Sequence, residues 1–156
     1  MKYLVMMSAA LVSLTGCQKA EVAVPAPQKL SESDAQMMVN RNEVEFRSAD
    51  AARIKAAYTP DVVAFDPGVP ELMTDRAAFD KAQDAFAAQK YDGLTNKERK
   101  IQVVDADTII VSGTAELSSS TVPANYALMR YTQVYGKQGD GKWLIVNEHL
   151  SAAPKK

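Results

Sequence analysis

The sequence is poor in the residues that bind metals and form disulfides. Its 156 residues include one cysteine, Cys17, and one histidine, His149. A zinc site needs three or four such ligands at short spacings, and a disulfide needs a second cysteine, so neither is expected. The chain also lacks a phosphate loop, a dinucleotide-binding fingerprint and a nucleophile motif. The sequence therefore predicts no cofactor.

An excess of one charge and a long apolar run are also missing. The chain has 18 basic and 19 acidic residues, a formal net charge of −1, with no block of like charges. This balance argues against nucleic acid as a partner and against a basic membrane-binding patch. Residues 3–14 form the main apolar stretch, which is too short to span a bilayer.

The start of the chain has the pattern of a secretory signal peptide. Lys2 precedes the apolar stretch, and Leu14-Thr15-Gly16-Cys17 follows it. These four residues resemble the bacterial lipobox, in which the cysteine thiol is acylated, with palmitate among the acyl chains. We therefore predict a signal peptide over residues 1–16 and lipid attachment at Cys17. In the alternative, an ordinary secretory signal, Cys17 has no role.

The predicted lipid anchor gives the protein a location. Two or more acyl chains hold a protein stably on a membrane. Gln18 follows the cysteine, and in the lipoproteins that the motif resembles this residue favours the outer membrane. We predict a bacterial cell-envelope protein facing the periplasm. Residues 17–30 are predicted to be the lipidated cysteine and a proline-containing tether, and residues 31–154 to be one folded domain.

Helical patterns come first in this domain and strand patterns last. The capping residues Ser31 or Ser33 predict a helix to about Arg47. Further expectations are a short helix after Asp50 that includes Tyr58 and stops at Pro60, a strand over 61–66, and a helix after Thr74 or Asp75. From Lys97 onward apolar residues alternate with period two, in strands centred on 101–103, 109–115, 126–135 and 143–150. The pattern predicts an α+β fold with N-terminal helices over one face of a curved antiparallel sheet.

The order of these segments resembles the nuclear transport factor 2-like superfamily. The nearest relatives by motif are SnoaL-like proteins, ketosteroid isomerases and the association domain of calcium/calmodulin-dependent kinase II. The resemblance implies a cone-shaped sheet around a mostly apolar cavity, often dimeric through the outer face of the sheet. It rests on the segments Tyr58 to Pro67, Arg130 to Tyr135, Gly141-Lys142-Trp143 and His149-Leu150-Ser151.

Two carboxylates are candidate catalytic residues. Asp66, followed by Pro67, resembles the acidic residue before a proline that serves as the general base in ketosteroid isomerases. Alternatively, Asp66 caps the Pro67-Gly68 turn. Glu148 is placed toward the cavity by alternation in the last strand, together with Val146 and Leu150. A register slip of one residue would instead place Glu148 in water.

Four further residues are predicted to bind a ligand: Asn42, Tyr58, Tyr131 and Gln133. Asn42 interrupts the apolar stripe of the first helix, which suggests that it lines the pocket. Alternatively, Asn42 lies at the edge of the stripe and is exposed to water. Tyr131 and Gln133 share the inward parity with Glu148. The opposite parity places His149 outside the cone with three residues of its strand: Trp143, Ile145 and Asn147.

These residues favour binding over catalysis, because an acid, a base and oxyanion donors are not jointly in place. We predict that the domain binds a small, largely apolar molecule. One alternative is an isomerase, cyclase or dehydratase without a metal, with Asp66 or Glu148 as base. A second alternative is a protein-interaction module that uses the outer sheet face. A homodimer through the sheet is also expected.

Replacing Cys17 with Ser should abolish lipid attachment, because serine lacks the thiol that the acyl group needs. Metabolic labelling with a fatty-acid analogue measures this loss directly. Lys19→Ser, two residues downstream, is the matched control and should keep the label. Labelling that persists in Cys17→Ser would refute the anchor.

Overall fold

A computed structural model describes residues 28–153 of the chain. The predictions for residues 1–16 and for Cys17, and most of the predicted tether, lie outside this range. Within it, no helix is both long and apolar enough to cross a membrane. The elements are α1 Glu32–Phe46, α2 Ala51–Ala56, β1 Tyr58–Asp66, β2 Val69–Met73, α3 Arg76–Ala88, β3 Gly93–Val103, β4 Thr108–Ser118, β5 Tyr126–Lys137 and β6 Trp143–Ala152.

The three helices begin at predicted capping residues. Ser31, Asp50 and Asp75 each have extended backbone, and each side chain accepts a hydrogen bond from a backbone N–H in the first turn. Such a cap satisfies donors that have no partner within the helix. The alternative candidates are not used as caps, since Ser33 lies inside α1 and Thr74 precedes the cap of α3.

The segment after α2 differs from the expectation. Tyr58 starts β1 instead of lying in the second helix, and Pro60 lies inside the strand instead of ending a helix. The backbone N–H of Ile145 donates to the Ala57 carbonyl at 2.9 Å, so pairing with β6 begins at once. The β1–β6 register is irregular between Tyr58 and Val63, where a proline without an N–H is tolerated. Strand β2 was not predicted.

One six-stranded sheet contains all the strands, in the order β2-β1-β6-β5-β4-β3. The predicted α+β class, with N-terminal helices and a curved sheet, is confirmed. The sheet is not wholly antiparallel, however, because β1 runs parallel to β6. The β1–β2 hairpin and α3 precede β3 in the sequence. The last strand, β6, pairs with the first strand, β1. Phe79 of α3, Ile54 of α2 and Tyr135 of β5 are among the fully buried side chains between helices and sheet.

A β-bulge in β6 decides which of its residues face inward. Val134 and Tyr135 of β5 pair with Asn147 and Ile145, so Val146 is an extra residue. A bulge of this kind breaks the alternation of side chains. Ile145 is therefore fully buried in the core, and the partly buried Trp143 packs against that core. Both side chains were predicted to lie on the outer face of the sheet. Likewise Val146, predicted inside, does not line the cavity.

Gly113 in the middle of β4 permits a close approach within the sheet. A Cβ atom at this position would overlap the carbonyl oxygen of Glu98 in β3. It would also lie 2.8 Å from the hydroxyl oxygen and 2.9 Å from Cζ of Tyr131 in β5. The Tyr131 ring therefore lies over the glycine because no side chain is there.

Gly113→Ala should lower the free energy of unfolding by about 1–3 kcal/mol, because backbone and ring must move apart. Denaturant melts measure this loss. Gly139→Ala is the matched control, since a Cβ there has no neighbour within 4 Å. Equal unfolding midpoints for the two variants would contradict the tight fit at Gly113.

Candidate functional site

The helices and the inner sheet face enclose a cavity of about 350 Å³. This volume lies in the range of small-molecule sites, which are mainly apolar with a few placed polar groups. Side chains from α1, β1, α3 and strands β3 to β6 line it. Its apolar wall includes Phe46, Phe86, Leu94, Leu117, Met129 and Leu150.

A buried carboxylate lies on the cavity wall. Glu148 is 2% exposed and pairs across the sheet with Ala64 of β1 and Gln133 of β5. The Tyr58 hydroxyl lies 3.0 and 2.9 Å from its two carboxylate oxygens and donates to them. The Gln133 amide nitrogen donates to Oε2 at 2.6 Å. Glu148, Tyr58, Gln133 and Tyr135 are called the Glu148 cluster below.

Tyr135 fixes the direction of the Gln133 amide. Its hydroxyl donates to Gln133 Oε1 at 3.0 Å, which leaves the amide nitrogen for Glu148. Tyr135 itself is fully buried. The sequence did not single out this tyrosine. Tyr58 and Gln133, both predicted to bind a ligand, are the residues that contact the Glu148 carboxylate.

Burial controls the proton equilibria of the cluster. Removal from water raises the pKa of Glu148 to about 7, and the nearby charge of Asp66 adds to the shift. The hydrogen bonds from Gln133 and Tyr58 oppose it by stabilising the carboxylate. Burial, and then the charge of Glu148, raises the pKa values of Tyr58 and Tyr135 well above the ordinary range, so both hydroxyls remain donors.

A second carboxylate, Glu43 of α1, also lines the cavity. Its Oε1 accepts hydrogen bonds from Arg99 at 2.6 Å and from Asn96 at 3.0 Å. The Tyr131 hydroxyl donates to Asn96 Oδ1 at 2.8 Å. Burial and then the Glu43 charge raise the pKa of Tyr131 to about 12. Glu43 is therefore paired with a cation, unlike Glu148.

The structure brings four of the six predicted pocket residues to the cavity: Tyr58, Tyr131, Gln133 and Glu148. Asn42 does not line it. The buried stripe of α1 runs through Ala35, Val39 and Glu43, four residues apart, which leaves Asn42 beside the stripe with its amide nitrogen 3.8 Å from the Met38 sulfur.

Asp66 does not line the cavity either. Its Oδ1 accepts a hydrogen bond from the Gly68 N–H at 2.8 Å, so it caps the turn after β1, as the structural alternative supposed. Pro67 and Gly68 of that turn do line the cavity. The proposed role of Asp66 as a general base remains a prediction.

Gln83 of α3 is a cavity residue that the sequence reasoning missed. Its side chain is 3% exposed and lines the cavity. An amide on a cavity wall can donate a hydrogen bond to, and accept one from, a ligand or water in the cavity. The signal was available, because Gln83 lies between Phe79 and Phe86 on the apolar stripe of the helix.

His149 lies on the outer sheet face, as predicted. Its ring centroid is 5.5 Å from that of Phe65, which is 43% exposed. The cross-strand partner of His149 is Thr132. Within residues 28–153 no cluster of three or more histidine, cysteine or acidic side chains could hold a metal. A homodimer through this face stays a prediction.

A comparison with protein families identifies the domain. Residues 38–155 match the model of the SnoaL-like domain. The chain belongs to this family. The match includes every residue that lines the cavity of this SnoaL-like domain. No curated protein matches the chain.

Solved structures show the same fold. A presumed calcium/calmodulin-dependent protein kinase II association domain from Xanthomonas campestris is 24% identical, with a TM-score of 0.69 over 85% of this chain and 95% of that one. A nuclear transport factor 2-like protein of unknown function from Pseudomonas putida is 21% identical, with a TM-score of 0.65 over 80% and 87%. A ketosteroid isomerase-like protein from Erwinia carotovora is 16% identical, with a TM-score of 0.62 over 78% of this chain and 95% of that one. The predicted nuclear transport factor 2-like fold is confirmed.

Glu148→Gln should change how stability depends on pH. Between about pH 4.5 and 7 folded Glu148 holds a proton that the unfolded chain has lost, so rising pH lowers the free energy of unfolding. The variant cannot titrate there, so its stability relative to wild type should rise by on the order of 3 kcal/mol across this window.

Denaturant melts at several pH values measure this difference. Glu98→Gln, which removes an exposed carboxylate from the opposite sheet face, is the matched control. Its free energy of unfolding should depend on pH as that of wild type does. If the stability difference between Glu148→Gln and wild type is constant from pH 4 to pH 8, burial does not raise the Glu148 pKa.

Proposed function

We propose that this SnoaL-like domain binds a small, largely apolar molecule in its cone cavity and orients it by the polar groups of the wall. The observation that carries the proposal is a mostly apolar cavity of about 350 Å³ with one buried carboxylate on its wall. An apolar body gains free energy from burial, and a few polar groups select its orientation. The domain needs no cofactor for this role.

The amide of Gln83 on the cavity wall supports a ligand-binding role. An amide at this position offers a ligand a donor and an acceptor that an apolar side chain would not. Gln83 lies on α3, whereas Glu148 lies on β6. A ligand between helix and sheet can therefore meet polar groups on two walls.

We further propose that this binding takes place at the membrane surface. The support is the lipobox-like sequence ending at Cys17, followed by a tether with two prolines. A domain held by acyl chains acts on molecules in its own envelope compartment and is not diluted. The predicted compartment is the periplasmic side of the outer membrane.

Filling the cavity should abolish binding. Ala115 of β4 is 5% exposed and lines the cavity, so Ala115→Phe places a ring in the space that a ligand needs. We expect the affinity for naphthylphenylamine, a neutral apolar fluorophore, to fall at least about tenfold. The chain used lacks the predicted signal peptide, residues 1–16, and carries Cys17→Ser, so neither the apolar stretch nor an acyl chain calls for detergent. Fluorescence titration measures binding, and mass spectrometry identifies compounds that co-purify.

Thr114→Phe is the matched control. Thr114 is the neighbour of Ala115 in the strand and belongs to an outer groove with Arg130 and Lys100. The same ring added there should leave the affinity unchanged. Equal affinity of both variants and of wild type would refute binding in the cavity.

A second candidate function is proton transfer at carbon, as in an isomerase or dehydratase. The observation in its favour is the raised pKa of Glu148, about 7, which suits a general base near neutral pH. Incorporation of deuterium from heavy water next to the carbonyl of a cavity-sized cyclic ketone would test it. The exchange should be catalysed by wild type and lost in Glu148→Gln.

A further inference from the structure

The charged groups of the cavity wall have one sign. Glu43 and Glu148 are the charged residues that line it, and no lysine, arginine or histidine of residues 28–153 does so. In a wall of low dielectric constant such charges act more strongly than they do in water. Any net charge on the wall is therefore negative and comes from Glu148, because Glu43 is paired with Arg99.

The two glutamates are not equivalent. Arg99 forms an ion pair with Glu43 at 2.6 Å, and Arg47 approaches its other oxygen at 3.7 Å. Glu148 forms no ion pair with any residue of the described range. The charge that acts on it is a further anion, Asp66. A buried carboxylate without a cation is unusual, because burial of a charge is costly unless it is paired.

The neighbours of Glu148 leave it able to accept another hydrogen bond. A carboxylate offers about four acceptor positions on its two oxygens. Oε2 accepts from both Tyr58 and Gln133, whereas Oε1 accepts from Tyr58 alone. Tyr135 holds the Gln133 amide so that its carbonyl cannot turn toward Glu148. A second donor to Oε1, which would be the third donor to the carboxylate, must come from a ligand or from water.

From this geometry we infer that the cavity selects a ligand with an apolar body and a protonated amine, with Glu148 as the group that binds the amine. The inference rests on the proposed function and names its ligand class. An ammonium group supplies both the missing donor and the missing positive charge. A hydroxyl supplies only the donor, and a carboxylate would bring a second anion to the same place. The expected order of affinity is amine, alcohol, carboxylate.

Three probes that share one apolar body test this order: naphthylmethylamine, naphthylmethanol and naphthoate. Binding is measured by calorimetry at about pH 8, where Glu148 is mainly ionised and the amine is protonated. The protein is again the chain without residues 1–16 that carries Cys17→Ser. The amine should bind wild type at least about tenfold more tightly than the carboxylate, a typical effect of one charge-assisted hydrogen bond.

Glu148→Gln should remove the preference for amine over alcohol, while Glu98→Gln, on the opposite face, should keep it. Thermal melts show whether Glu148→Gln is folded. A second measurement needs no variant at this site: at about pH 6 wild type should bind the amine several-fold more weakly, because Glu148 takes up a proton. The other titratable groups that line the cavity or act on Glu148 are Asp66, Glu43, Tyr58, Tyr91, Tyr131 and Tyr135.

The outcomes separate the two proposals. If naphthoate binds wild type as tightly as the amine, or if Glu148→Gln folds and keeps the amine preference, the inference is wrong and the binding function stands. If none of the three probes and no naphthylphenylamine binds, the binding function fails and the inference fails with it. The predicted order, with its loss in Glu148→Gln, supports both.

Discussion

The site depends on one interaction, the hydrogen-bonded burial of the Glu148 carboxylate without a cation. Tyr58 and Gln133 supply the donors that make this burial tolerable, and Tyr135 keeps the Gln133 amide in the orientation that it needs. Burial nevertheless raises the pKa of Glu148 to about 7. The cluster therefore holds a group that ionises near neutral pH in an otherwise apolar space.

The shape of the sheet brings this cluster together. Strand β6 lies between β1 and β5, so a residue in its middle receives groups from both neighbours. Tyr58 comes from β1 because that strand begins directly after α2 and runs parallel to β6. The bulge at Val146 then allows Ile145 to fill the core while Glu148, three residues on, still faces the cavity. With regular alternation, either Ile145 or Glu148 would face the outer side of the sheet.

The contrast between the two cavity glutamates links structure to function. Glu43 has a structural partner in Arg99, so its charge is already neutralised within the protein. Glu148 has donors but no countercharge, and Gln83 places an amide on the same cavity wall. Groups that the fold leaves unsatisfied in a cavity are the ones that a ligand can satisfy.

Local patterns in the sequence determined much of this protein. Capping residues located the starts of all three helices. Period-two alternation located strands β4 to β6 and the second half of β3, which begins at Gly93 and not at Lys97, and the order of motifs indicated the family. Alternation also placed Glu148 inside and His149 outside, because the bulge precedes both of them. The lipobox-like sequence at Cys17 predicts the location from residues outside the described range.

Only the tertiary structure decided the contacts that join distant segments. The donors of Glu148, the parallel pairing of β1 with β6, and the inward position of Ile145 depend on a bulge and on a strand that starts at Tyr58, neither of which has a local signal. Asn42 and Glu43 differ by one position on α1, and packing against β3 decides which of them faces the cavity. Side-chain periodicity is a property of neighbouring residues along the chain, whereas the partners of a buried charge are set by which strands the fold places side by side.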